Sequence, residues 1–257
     1  MKLSPIELKE FLDEKYEKYN RFDFIESDPI SIPHQFTKKE DIEIAGFLAA
    51  TIAWGQRVTI INNANKLMKL MEHAPHDFVM NAKAKDFKRF DSFVHRTFNS
   101  TDTVFFMQSL QHIYKMHGGL ENVFVPNSKQ DICKNAIVNF RNSFFEIPHP
   151  SRTSKHVSNP AENSSAKRLC MYLRWMVRDD KRGVDFGLWK KHLKSADLMC
   201  PLDVHTGNVG RKLGVLKRTQ NDWKAVEELS NNLRKLDKKD PIKYDFALFG
   251  LGVFEGF

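Results

Sequence analysis

Two stretches decide the fold: Ser164-Ser165-Ala166-Lys167-Arg168-Leu169-Cys170-Met171-Tyr172-Leu173-Arg174-Trp175-Met176, and Pro201-Leu202-Asp203-Val204-His205-Thr206-Gly207-Asn208-Val209-Gly210-Arg211-Lys212-Leu213-Gly214. In the first, Leu169, Leu173 and Met176 recur at helical spacing. Arg174 and Arg178 follow Lys167 at i+7 and i+11 on another face, giving a basic stripe. In the second, an aspartate stands directly before Val204-His205-Thr206, the position at which a carboxylate caps a helix by accepting an orphan backbone N–H. Gly214 supplies the stop. Neither stretch alternates with the period of two that a half-buried strand requires.

The same punctuation extends outward in both directions. Ser4-Pro5 opens an amphipathic helix carrying Ile6, Leu8, Phe11, Leu12 and Tyr16. Arg21 to Gln35, with Pro29 and Pro33, reads as an extended connection. Thr37-Lys38-Lys39-Glu40 has a capping-box pattern, and the helix it opens, Asp41 to Trp54, is apolar nearly all round and is expected in the interior. Further helices are expected at about Thr59–Glu72, Asp102–Met116, from Ser128 on, Ala166–Arg178, Val204–Leu213, Trp223–Leu236 and Ile242–Leu251, the last opened by Asp240-Pro241. Residues 145–165 are polar and contain prolines, with His149 and His156 flanking Arg152 and Lys155; this is the expected lobe boundary or a surface loop. The prediction is an all-α chain, one unit over 1–257 made of two helical lobes with a basic cleft between them, Lys167 and Asp203 meeting across it.

Composition narrows the function. With 257 residues and 41% hydrophobic content the chain can bury a substantial core, and 21 phenylalanines should fill much of it. Phe105-Phe106, Phe144-Phe145 and most of Trp54, Trp175, Trp189 and Trp223 read as core. The formal net charge of +8 favours a polyanionic partner. Three scattered cysteines, Cys133, Cys170 and Cys200, form no CxxC pair, which argues against a disulfide framework or a four-cysteine iron–sulfur cluster. The apolar run at Ile44–Trp54 is too short to span a bilayer. Met1-Lys2-Leu3-Ser4-Pro5 has no signal-peptide pattern, so a cytoplasmic protein, monomeric and without membrane contact, is expected. No HExxH or other tight histidine spacing is present, so neither a catalytic metal nor a cofactor is predicted.

Lys167 falls in the first turn of its helix, where unpaired amides and the positive dipole end disfavour an ammonium. A neutral lysine can attack a carbon centre and form a Schiff base; most lysines are merely solvated. Asp203 is accounted for as a cap alone, yet a carboxylate held rigid by capping bonds also suits stabilisation of a sugar cation.

The residues that carry this chemistry also carry a resemblance. Pro201 to Gly214 is similar to the catalytic-aspartate segment of the helix-hairpin-helix DNA glycosylase superfamily, and Ala166 to Met176 resembles the helix bearing its lyase lysine, closest to the archaeal 8-oxoguanine glycosylase branch. Trp54-Gly55-Gln56-Arg57 resembles the Gln-bearing loop that fills the space of an extruded base. The hairpin turn would be Glu162-Asn163-Ser164-Ser165-Ala166, degenerate in lacking the superfamily's Gly-x-Gly. The Lys167–Asp203 spacing is longer than in most of the superfamily, residues 179–200 being the extra segment. Taken whole, the chain also resembles a bacterial family described only as a domain of unknown function.

The resemblance implies a base-excision repair glycosylase with abasic-site lyase activity on an oxidised purine in double-stranded DNA. Lys167 and Asp203 would be catalytic, and Gln56, Arg57, Ser164, Ser165, Arg174, His205 and Arg211 would contact nucleic acid. The alternative is a catalytically inactive nucleic-acid-binding protein of the same fold, and a third reading is a helical scaffold whose charge is only solvated surface.

Overall fold

The computed structural model describes residues 3–179 and 181–257; Met1 and Lys2, on which the leader reading partly rests, lie outside the described residues. Among the described residues ten α-helices follow in order: α1 Pro5–Tyr19, α2 Lys39–Thr51, α3 Arg57–Leu70, α4 Pro75–Asn81, α5 Ser100–His112, α6 Ile132–Phe144, α7 Lys167–Val177, α8 Val204–Lys212, α9 Trp223–Leu236 and α10 Tyr244–Phe254. The one sheet among them is a hairpin of two-residue strands, β1 Val94–His95 and β2 Phe98–Asn99, antiparallel with Val94 opposite Asn99. The chain is all-α. No described helix is long and apolar enough to cross a membrane.

Two units divide the chain, one built from the residues up to Phe24 together with Asn159–Phe257, the other from Ile25–Ser158. The chain passes between them twice. The crossing after Ser158 falls in the polar 145–165 stretch, whereas the one at Phe24 has no sequence mark and assigns α1 to the C-terminal helices.

In the unit 25–158, α2 is buried continuously from Ile42 to Thr51. Phe106, Phe140 and Phe144 pack on its Phe47 as edge-on and stacked rings, Phe106 and Phe144 with centroids 4.7 Å apart. Buried carboxylates here have polar partners. Glu43 accepts from Tyr114 Oη at 2.6 Å. Asp102 accepts from Thr153 Oγ1 at 2.9 Å and lies 3.1 Å from Arg152 and 3.3 Å from His156. Those contacts fasten residues 151–156 to α5, so this part of the expected polar loop is anchored, with His156 buried and Arg152 tied to Asp102 and the Thr97 carbonyl.

The local grammar holds in places and fails in others. Ser4 and Glu7 form the reciprocal capping box of α1, at 3.3 and 2.8 Å. Thr37 does not do the same for α2, whose cap is Lys38 with no side-chain bond. Residues 22–35 are three 3-10 turns rather than an extended connection, because Asp28 accepts from Ile30 N and starts one of them at Pro29. Asp240 caps no bond at Pro241; its carboxylate is used by Arg178 instead.

In the other unit α10 packs against α1 and α8. Gly250 makes the first contact possible: a Cβ there would lie 2.2 Å from the Tyr19 ring. Gly250→Ala is therefore expected to destabilise the protein by about 1–3 kcal/mol through overpacking, read as a lowered denaturant midpoint; an unchanged midpoint would show that the ring moves aside freely.

Candidate active site

Lys167 is the first residue of α7 and Asp203 is the N-cap of α8, and their side chains meet. Lys167 Nζ lies 3.0 Å from Asp203 Oδ2, with the lysine side chain 34% and the aspartate 16% exposed. The other carboxylate oxygen accepts from Thr206 N at 2.8 Å. Asp203 thus both caps its helix and faces the amine. Burial raises its pKa, but the Lys167 charge and the Thr206 amide outweigh burial and hold the carboxyl below its ordinary value. It is an anion of fixed position beside a partly open amine.

Lys167 owes its place to an unusual turn. Asn163 and Ala166 both adopt left-handed backbone, φ 65° and φ 46°. Asparagine tolerates that conformation, whereas a buried alanine in it stores about 1–3 kcal/mol of strain. The turn is held from outside: Trp223 N donates to the Asn163 carbonyl at 3.1 Å, Asn163 Nδ2 donates to Asp222 Oδ2 at 3.1 Å, and Ser164 bridges Asp222. Asp222 is in turn the N-cap of α9 and pairs with Arg218, and these bonds hold its carboxyl far below its ordinary value. No sequence signal marks the Asn163–Asp222 contact, which joins residues 59 apart, or the left-handed alanine.

This geometry corrects several expectations. The turn is preceded by a single 3-10 turn, Pro160–Glu162, instead of a first hairpin helix, and a carboxylate sits beside it. Lys167 and Asp203 belong to the same unit, so they meet within it rather than across a cleft between two lobes. Arg174 does not face solvent. Its guanidinium is buried between Asp185, 3.2 Å away, and Asp245. Arg178, also buried, binds Asp185 at 2.9 Å, Asp240 at 3.0 Å and the Tyr16 hydroxyl at 3.0 Å. The expected basic stripe is thus an internal ion-pair network, since α7 buries both faces. Arg211 is committed as well, its Nε and Nη2 donating to the carbonyls of Arg218 and Thr219, each at 2.8 Å, and to Asn221 at 2.6 Å. It clamps the loop before α9.

The remaining expected residues divide by unit. Ser164 and Ser165 are half-buried in the turn, and His205 is exposed on α8, near enough to Asp203 for its charge to act there. Gln56, the exposed N-cap of α3, and half-buried Arg57 belong to the other unit. Cys200 is no rival nucleophile. Burial and the neighbouring Asp245 carboxylate push its thiol well above its ordinary value.

Asp245 carries a pH signature. Burial pushes its carboxyl up to about 6, against the pull of Arg174 and with the help of Asp203. A folded pKa above the unfolded one means that between pH 4 and 6 the folded state binds the extra proton. The Asp245 contribution to stability therefore rises as pH falls through that window. Chemical denaturation should show wild type gaining on Asp245→Asn from pH 6.5 to pH 4.5; a constant difference would place the Asp245 pKa at its unfolded value.

Compared with known proteins, the chain matches one family model over residues 28–254, described as a protein of unknown function. No curated protein and no solved structure matches the chain.

Proposed function

The chain belongs to this family, DUF2400, which brings no activity to transfer, and from that premise we propose a function on the resemblance of the Lys167 and Asp203 segments together with their chemistry: cleavage of the glycosidic bond of a damaged base, an oxidised purine as the resemblance implies, in double-stranded DNA, with lyase action at the abasic site. The single observation that carries the reading is the Lys167–Asp203 contact at 3.0 Å, an amine at one helix start against a fixed carboxylate at another. The Lys167 ammonium first gives a proton to solvent, and the amine then forms a bond to C1′ as the C1′–N bond to the base breaks. The base leaves with the electron pair and takes up the proton that the amine sheds. The C1′–O4′ bond then breaks, O4′ taking up a proton from solvent, and the nitrogen lone pair gives the iminium. Loss of a C2′ proton expels the 3′ phosphate, and water releases the lysine. Asp203, held ionised, is suited to stabilising positive charge on the sugar; its low basicity makes it a transient proton carrier at most.

A second reading, a nucleic-acid-binding protein without this chemistry, is favoured by the Asp222 carboxylate beside the glycine-free turn. Borohydride trapping on duplexes containing 8-oxoguanine or an abasic site decides between them. A covalent protein–DNA adduct is the expected result. Binding without an adduct, weakening steeply with salt, would establish the second reading, and no binding at low salt would leave the scaffold.

A further inference from the structure

In the unit 25–158, the side chains of His112, His117 and Glu146 converge, with one ligand atom from each lying within 4.8 Å of the others. Both imidazole Nε2 atoms face the same carboxylate oxygen, at 3.0 Å for His112 and 2.9 Å for His117. Such a pairing is not available on an ordinary helix, where residues five apart point about 140° away from each other. Here α5 ends at His112 and the chain continues as a π-helical turn, Ile113–His117, before left-handed Gly118 at φ 72°. The wider i→i+5 winding brings the two rings to 5.6 Å. This is why a search for histidines three or four apart passes over them.

The third group is also positioned by packing. Buried Ser109 donates to the Phe144 carbonyl at 2.6 Å, pinning the end of α6 to α5 one turn before His112. Phe145 stacks on Phe105 immediately before Glu146. The side chains are 25%, 31% and 53% exposed, so the open side of the cluster faces solvent.

We propose that His112, His117 and Glu146 form a binding site for a zinc-class divalent transition-metal ion, with water as the fourth ligand. Tetrahedral zinc with Zn–N of about 2.0–2.1 Å and Zn–O of about 2.0–2.2 Å sets its donors about 3.3 Å apart. The nitrogen–oxygen separations here need to open by only a few tenths of an ångström. Two imidazoles and one carboxylate select zinc, cobalt or nickel over magnesium or calcium, which prefer all-oxygen shells. On binding, the metal takes the Nε2 lone pairs: a ring that carried its proton on Nε2 shifts it to Nδ1, and a doubly protonated ring releases its Nε2 proton to solvent.

The test is titration of the chelator-treated full-length protein with zinc chloride at pH 7.5 against a chromophoric competitor, with cobalt(II) as a spectroscopic probe. One ion per chain, tetrahedral cobalt bands, and at least tenfold weaker binding in His117→Gln and in Glu146→Gln are expected. The absence of saturable binding, or binding unchanged in both variants, overturns the proposal. Glu146 is solvent-exposed, so Glu146→Gln keeps the test valid if the histidine variant misfolds, as checked by circular dichroism. DNA trapping through Lys167 is a separate readout, so failure of either proposal leaves the other standing.

Discussion

Lys167→Ala is expected to abolish the borohydride-trapped adduct while leaving the fold in place. The adduct requires the amine nitrogen itself, so its loss should be complete. The stability cost should be small, because a lysine side chain 34% exposed makes a screened ion pair worth about 1 kcal/mol or less. Asp203 allows a sharper separation. Asparagine caps a helix about as well as aspartate, so Asp203→Asn keeps the bond from Thr206 N and removes only the charge. Base excision should fall by about 10²–10³-fold, the magnitude of losing one electrostatic stabiliser of a transition state, with the melting temperature nearly unchanged. Asp203→Ala loses cap and charge together and should add about 1 kcal/mol of destabilisation. An adduct that persists in Lys167→Ala would move the nucleophile to another amine and remove the basis for the proposed function. Excision that is equal in Asp203→Asn would reduce Asp203 to a cap.

The largest stability effect should come from Arg178→Ala. Its guanidinium is completely buried and joins Asp185, Asp240 and the Tyr16 hydroxyl. Removing one member of a buried ion network strands the others without solvent, at about 3–5 kcal/mol. A fall in melting temperature of order 10 °C is expected. Asp185 serves both Arg174 and Arg178, so Asp185→Ala should be comparably damaging. The double variant should cost less than the sum, because each single change strands what the other removes. Additive losses, or a loss below about 1 kcal/mol, would mean that water reaches the network.

Helix positions and most core residues were legible in the sequence, because a 3.6-residue period and end signals are local properties. Trp223–Leu236 is the helix its pattern predicts, from first residue to last. Phe106 and Phe144 are buried as expected, and Ser4 caps α1. The Lys167 and Asp203 helix starts were legible for the same reason, since both are positions relative to a local cap. The surface chemistry was less so. A helix with arginines at i+7 and i+11 looks like a solvated basic face until its neighbours are known. Arg174 and Arg178 are internal because Asp185, Asp240 and Asp245 come from elsewhere in the chain to meet them.

By itself, the sequence determined an all-α chain, its helix starts and its apolar interior, because periodicity, caps and breakers act over a few residues. Tertiary structure alone decided which charges are spent inside, that α1 joins the C-terminal helices, that Asp222 holds the turn before Lys167, and that a π-helical turn aligns His112 with His117. Each of these depends on partners distant in sequence, or on a change of winding that leaves no mark in residue spacing. Charge, burial and donor geometry are properties of what surrounds a side chain, and only the folded chain supplies those surroundings.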